Sequence, residues 1–178
     1  MIQIGLFHID FLKRKDAESL SEMMVSNSNR FKRYFPITLS KNLSLQDSER
    51  YIIEKKKENE AKSEFAFGIK ESTTTKIAGI IILKEINWNI KQGEFAYCID
   101  ADFENKGLMS KAILAISKHA FDVIGLKKLQ IIVHKDNIGS LKVAQNCNFI
   151  WQKTLLNEYT PPNESPLDME LYELYNEK

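Results

Sequence analysis

Cysteine is scarce in this chain of 178 residues: Cys98 and Cys147 are the two thiols, and the histidines number three. Two thiols cannot build a disulfide framework or a four-thiolate zinc site. His8, His119 and His134 lie far apart without ligand spacing, so the sequence predicts no metal centre. Four prolines and seven glycines are spread too thinly to make a linker, and no internal repeat appears, so residues 1–178 are read as a single domain. Long apolar runs are missing as well. No segment approaches the ~18–20 residues of a membrane span. Residues 1–11 have no basic stretch ahead of their short apolar run, which Asp10 interrupts. These absences predict a reduced, cytoplasmic protein with no membrane partner. An excess of one charge is the last thing missing: 25 Lys and Arg stand against 24 Asp and Glu, a formal net charge of +1. That balance excludes a general nucleic-acid coat protein, although a neutral total can hide local fields.

What the chain does have is core material. It is 43 % hydrophobic, with ten Phe, six Tyr and two Trp. A chain of this length removes roughly 70 % of its unfolded surface from water on folding. Residues 5–12 have strand length and mixed polarity. Ala17, Leu20, Met23 and Met24 share one side of a predicted helix over 16–25. Pro36 argues against a continuous helix through 26–42. Ser44 is placed to cap a helix with Asp47 in its first turn, and the run KKKENEAK reads as that helix's solvated end. Residues 65–69, 76–84 and 94–99 form a predicted antiparallel meander. A helix over 107–123, a strand over 129–133, a short helix over 138–147 and strands over 149–155 and 167–174 follow. Asn148 falls where the end of the short helix calls for a left-handed residue. A meander followed by alternating strands and helices predicts a mixed α+β fold, with helices on both faces of a central sheet.

The densest polar chemistry falls where the 94–99 strand hands over to the 107–123 helix. The run Asn105, Lys106, Gly107, Leu108, Met109, Ser110 joins a single glycine, a cation and a hydroxyl at a helix start, with Lys111 next. The first N–H groups of a helix lack internal acceptors and carry the positive end of its dipole, so such a start can hold a phosphate or pyrophosphate. The alternative is that Gly107 only lets the chain turn. The run is neither a Walker-type loop nor a dinucleotide fingerprint, whose glycine patterns are absent. A second polar group follows the 129–133 strand: Asn137 can cap the short helix, and Ser140 shares its side. If both helices follow adjacent parallel strands, their starts meet at the sheet edge where α/β proteins usually bind ligands. Cys98 with His119 or His134 is a formal Cys–His pairing. Both histidines occupy ordinary structural places, so the sequence does not point to covalent cysteine catalysis.

Taken together, the phrases AYCID, KGLMSKA, AFDVIGLKKL and NIGSLKVAQNCNF resemble the GNAT superfamily of N-acetyltransferases. Within it they resemble the ribosomal-protein alanine/serine N-acetyltransferase branch. The resemblance spans nearly the whole chain and is carried by order: Tyr97 to Ile99, then Glu104-x-x-Gly107-x-Met109, then Asn137-x-x-Ser140 and Phe149. It implies a mostly antiparallel, twisted sheet of about seven strands with a splayed parallel pair. It implies acetyl-coenzyme A as donor, with the backbone N–H groups of Asn105, Lys106, Gly107, Leu108, Met109 and Ser110 on the pyrophosphate. Tyr97, Cys98 and Ile99 would run along the pantetheine, Asn137 and Ser140 would face its arm and thiol, and Lys142 would lie near. The implied reaction is direct attack of a primary amine on the thioester through a tetrahedral intermediate, with a backbone N–H near Cys98 or Ile99 on the oxyanion. Glu94 is the candidate base, directly or through water, and Ser140 the candidate donor to the leaving thiolate. The other readings are a strand-surface carboxylate for Glu94 and a helix-start hydroxyl for Ser140. Tyr97 packs or lines the acceptor cleft. Four positions depart from the family pattern: Glu104 stands for Gln or Arg, Met109 for a small residue, Asn148 for Gly and Ala144 for Tyr.

The acceptor implied first is the N-terminal α-amino group of a protein or peptide. Small amines such as aminoglycosides and polyamines are the alternatives, and a non-catalytic acyl-coenzyme A-binding domain is the other class of function. A monomer or homodimer without direct nucleic-acid contact is expected. Residues 101–142 hold seven Lys and four acids, a local +3, and residues 157–178 hold one Lys and six acids, a local −5. The basic stretch falls where an anionic donor is expected. The acidic stretch can steer a basic acceptor peptide or be an ordinary solvated tail.

Overall fold

A computed structural model describes residues 1–176. Its strands are β1 (Ile2–Ile4), β2 (Phe7–Phe11), β3 (Phe65–Glu71), β4 (Ile77–Asn87), β5 (Gln92–Ile99), β6 (Lys128–Val133), β7 (Ile150–Tyr159) and β8 (Leu167–Tyr175). Its α-helices are α1 (Ala17–Ser26), α2 (Ser28–Phe31), α3 (Pro36–Ser40), α4 (Leu45–Glu60), α5 (Leu108–His119) and α6 (Ile138–Asn146). The strands join in one eight-stranded sheet of order β1-β2-β3-β4-β5-β6-β8-β7. The sheet is mostly antiparallel, and β5 with β6 is its parallel pair. The sequence predicts about seven strands because it reads residues 5–12 as one element. Gly5, at φ +65°, instead turns the chain so that Ile4 faces Phe7, and the three residues of β1 are too few to show a period. No helix among the described residues is long and apolar enough to cross a membrane.

Two compact units divide the chain, and β4 and β5 have residues in both. The first unit holds residues 1–82 and 97–108. Here β2 pairs antiparallel with β3, placing Ile9 opposite Ile69, both fully buried. Leu20, Met23 and Met24 give α1 a buried stripe, and it packs against α4. Ser44 caps α4 as its position predicts, its Oγ accepting from the Asp47 N–H at 3.2 Å. Between these helices the chain makes only the short α2 and α3, the latter starting on Pro36 where a missing N–H costs nothing. A fully buried ion pair links the elements: Lys70 Nζ on β3 lies 2.5 Å from Asp16 Oδ2, just before α1.

The second unit holds residues 83–96 and the chain from 109 onward. Its parallel ladder pairs Gln92–Phe95 of β5 with Lys128–Ile131 of β6. Beyond it β6 pairs with β8, and β8 with β7. The predicted helix over 107–123 is α5 followed by a π-type turn, Ala120–Ile124. Asn148 is left-handed, at φ +62°, and the following Phe149 N–H reaches back to the Ala144 carbonyl at 3.0 Å, the helix end that the sequence predicts.

Glu173 on β8 is buried in this unit. It accepts hydrogen bonds from Gln130 at 2.6 Å and from Tyr175, and pairs with Lys128 at 3.2 Å. Burial pushes its carboxyl up, but the bonds from Tyr175, Gln130 and Lys128 outweigh that and hold it below the ordinary value of 4.5. A carboxyl depressed in the native state stabilises it fully above the unfolded value, and that contribution disappears as pH falls through the lower native value. Thermal melts should therefore lose stability from about pH 4.5 downward. In Glu173→Gln the melting temperature should fall less between about pH 6 and pH 3 than in the wild type.

Candidate active site

The turn after β5 is built by side chains from an earlier part of the first unit. Asp100 is buried, and its Oδ1 accepts from the Asp102 N–H at 3.2 Å, so it caps the short 3-10 turn Ala101–Phe103. Asn27, buried at the end of α1, donates to Asp100 Oδ1 at 3.2 Å and accepts from the Ala101 N–H at 3.0 Å. Arg30 of α2 donates to the Asn27 amide oxygen, to the Ile99 carbonyl at 3.2 Å and to the Glu104 carboxylate. One guanidinium thus ties the last residue of β5 to the head of the following turn.

That turn then reverses direction twice. Asn105 and Gly107 both adopt positive φ, +57° and +71°. Successive backbone N–H groups in such a turn make an anion-binding concavity, and α5 starts immediately after it. A Cβ placed on Gly107 would meet nothing within 4 Å, so the space beside this backbone is open to a ligand. Leu108 and Met109 point into the core and offer only their N–H groups. The buried thiol of Cys147, just after α6, donates to the Ser110 carbonyl at 3.3 Å in the first turn of α5. Lys106 donates to the Asp102 carbonyl at 2.6 Å and lies over the Phe103 ring, so its ammonium is engaged on the turn itself. Glu104, the acidic departure at the head of the run, is paired with Arg30.

On β5, Cys98 is buried, and Tyr97 and Ile99 are half-buried. Burial drives the Cys98 thiol far above its usual pKa and Cys147 up to about 11, which leaves both as protonated packing groups near neutrality. In the second unit, Glu94 Oε1 lies 2.8 Å from Lys84 Nζ on β4. Asn137 caps α6, its Oδ1 accepting from the Ser140 N–H at 3.2 Å. Ser140 is half-buried and Lys142 is exposed. Partial burial holds His119 below its usual pKa, so it is largely neutral near pH 7. No group of three or more His, Cys, Asp or Glu among the described residues could hold a metal ion.

Asn27, Arg30 and Lys84 are the groups that sequence reasoning missed. Arg30 lies 74 residues before Glu104, and no local pattern announces that pairing.

The chain and its fold resemble known proteins. Over 82 residues the chain is 30 % identical to the spermidine N(1)-acetyltransferase of Escherichia coli (strain K12), covering 46 % of this chain and 44 % of that relative. The chain thus matches under half of that relative's length. The ribosomal-protein-S5-alanine acetyltransferase of Vibrio fischeri superposes with a TM-score of 0.91 over 99 % of this chain and 97 % of that one, at 16 % identity. The microcin C7 self-immunity acetyltransferase MccE, solved with acetyl-CoA and AMP, superposes with a TM-score of 0.87 over 97 % and 94 %, at 23 % identity. At these identities the structural likenesses establish the fold. Residues 8–150 also match the model of the acetyltransferase (GNAT) domain, and with most of its length inside that match, the chain belongs to the GNAT acetyltransferase family.

Proposed function

We propose that this protein transfers acetyl from acetyl-coenzyme A to a primary amine, in the first place the α-amino group of a protein or peptide. GNAT acetyltransferases use acetyl-coenzyme A, and MccE was solved with it. The observation that carries the reading is the turn over 104–108: two positive-φ residues, open space at Gly107, and an α-helix starting at Leu108. Its N–H groups, from Asn105 to Ser110, suit the pyrophosphate. The backbone of Tyr97, Cys98 and Ile99 suits the amide-bearing pantetheine, with Asn137, Ser140 and Lys142 as further contacts. In this reading Glu94 takes the amine proton and Ser140 donates to the departing thiolate.

A polyamine is the second reading, favoured by the likeness to a spermidine N(1)-acetyltransferase. The local charge of −5 over residues 157–178 suits either cationic acceptor. Release of coenzyme A thiol, measured with acetyl-coenzyme A and a panel of acceptors, tests both. Peptides with free N-termini should turn over, and the same peptides blocked at the α-amine should not. Turnover with spermidine alone would replace the first reading by the second. Binding of the donor without turnover of any amine would leave an acyl-coenzyme A-binding domain.

A further inference from the structure

The 104–108 turn proposed to hold an anion begins with a carboxylate. An acid so close to a pyrophosphate repels it through a partly desolvated path. In this chain Glu104 does not stand alone, because the Arg30 guanidinium donates to it through Nη2. The same guanidinium donates through Nη1 to the Ile99 carbonyl at 3.2 Å and to the Asn27 amide oxygen. Asn27 is only 3 % exposed and is itself bonded to Asp100 and to the Ala101 N–H. Arg30 is thus held by buried neighbours on one side and presents its charge to Glu104 on the other. The planar fork does what an ammonium could not do in one position: it joins two backbone segments and cancels a charge.

We propose that Arg30 is the positioning residue of the donor site. It fixes the end of β5 against the head of the turn, and it neutralises Glu104 so that the turn accepts the phosphates of coenzyme A. This rests on the reading of 104–108 as the pyrophosphate site, and it adds a residue from α2 that the run itself does not contain. The cation that most helps the turn accept an anion is then neither Lys106, which is bound to the Asp102 carbonyl, nor another group of the run.

Calorimetric titration of coenzyme A into Arg30→Met, Glu104→Gln and the double variant tests the proposal. Arg30→Met leaves Glu104 uncompensated and should weaken coenzyme A binding about tenfold. Glu104→Gln removes the repulsion and should bind at least as tightly as wild type. The double variant should recover most of the affinity lost in Arg30→Met. In turnover, KM for acetyl-coenzyme A should rise in Arg30→Met while kcat at saturation stays near wild type. A purely structural Arg30 gives a different pattern: loss in the single variant without recovery in the double one, and that pattern overturns the proposal. Wild-type binding with unchanged affinity in all three variants also overturns it while leaving the donor reading intact. A wild type that binds no coenzyme A removes both. Should Arg30→Met fail to fold, Glu104→Gln and Arg30→Lys still decide. Weaker binding in Glu104→Gln than in wild type, or Arg30→Lys matching wild type with Glu104 unpaired, counts against the role assigned to the fork.

Discussion

Glu94→Gln is expected to lower kcat by about 100-fold or more, the usual scale for losing a general base. The amide keeps the shape of the carboxylate but cannot take a proton from the attacking amine. KM for acetyl-coenzyme A should change little, because Glu94 is not among the residues assigned to the donor's phosphates. The Lys84 ammonium, 2.8 Å away, gives the opposing outcome a clear meaning. If kcat is unchanged in Glu94→Gln, the carboxylate serves only that ion pair on the β4–β5 surface, and the base must be water or another group. Ser140→Ala is a cleaner partner experiment than most helix-start substitutions. The cap of α6 runs from the Asn137 side chain to the Ser140 backbone N–H, so removing the hydroxyl leaves the helix start intact. A fall in kcat on the order of 100-fold would then report loss of the proton donor to the thiolate. Unchanged turnover would return Ser140 to an ordinary helix residue.

Lys70→Met should cost about 3–5 kcal/mol of stability, because it strands the Asp16 carboxylate in the core. Both side chains of the pair are almost wholly out of water, at 3 % and 2 % exposure. Lys70 also donates to the Phe11 carbonyl at 3.2 Å, and Asp16 accepts from the Lys13 N–H at 2.7 Å. The pair is therefore satisfied from both ends, which is what makes its halves expensive to separate. For a chain of this size the melting temperature should drop on the order of 10 °C. The double variant Lys70→Met with Asp16→Asn should melt higher than Lys70→Met alone, since an amide can still accept from Lys13 without carrying a buried charge. Equal melting of the two variants would show that lost packing, and not the stranded charge, sets the cost. The pair also anchors the start of α1, and α1 ends at Asn27, which holds the turn after β5.

The parts of this protein that follow from short-range chemistry were legible in its sequence. Ser44 and Asp47 mark the start of α4, Asn148 takes the left-handed form at the end of α6, and Pro36 falls where no continuous helix runs through 26–42. Each is decided by a residue's own backbone preference or by a hydrogen bond three residues away. The start of α5 just after Gly107 was legible for the same reason, since a glycine before an apolar helix repeat is a local feature. What stayed hidden depends on pairs far apart in the chain. Glu104 reads as an unfavourable acid until Arg30 is brought beside it, and Glu94 as an isolated strand carboxylate until β4 supplies Lys84. Lys106 shows the converse. Its charge suggests an anion contact, whereas a carbonyl four residues back and the Phe103 ring take it up. Lys70 within a strand and Asp16 before a helix likewise give no sequence sign that they share one buried site.

The ladder of β7 breaks register twice against β8, between Trp151 and Lys153 and again between Leu155 and Tyr159. This strand closes one end of the sheet order, and it leaves Ile150, Trp151 and Leu156 more than half exposed. A straight, greasy border of ten residues would be a template on which a second chain could zip, and growth of that kind leads toward fibrils. Bulges interrupt such a template by bending and over-twisting the strand. The two register breaks therefore make β7 a poorer template for a second chain than a regular strand of the same length.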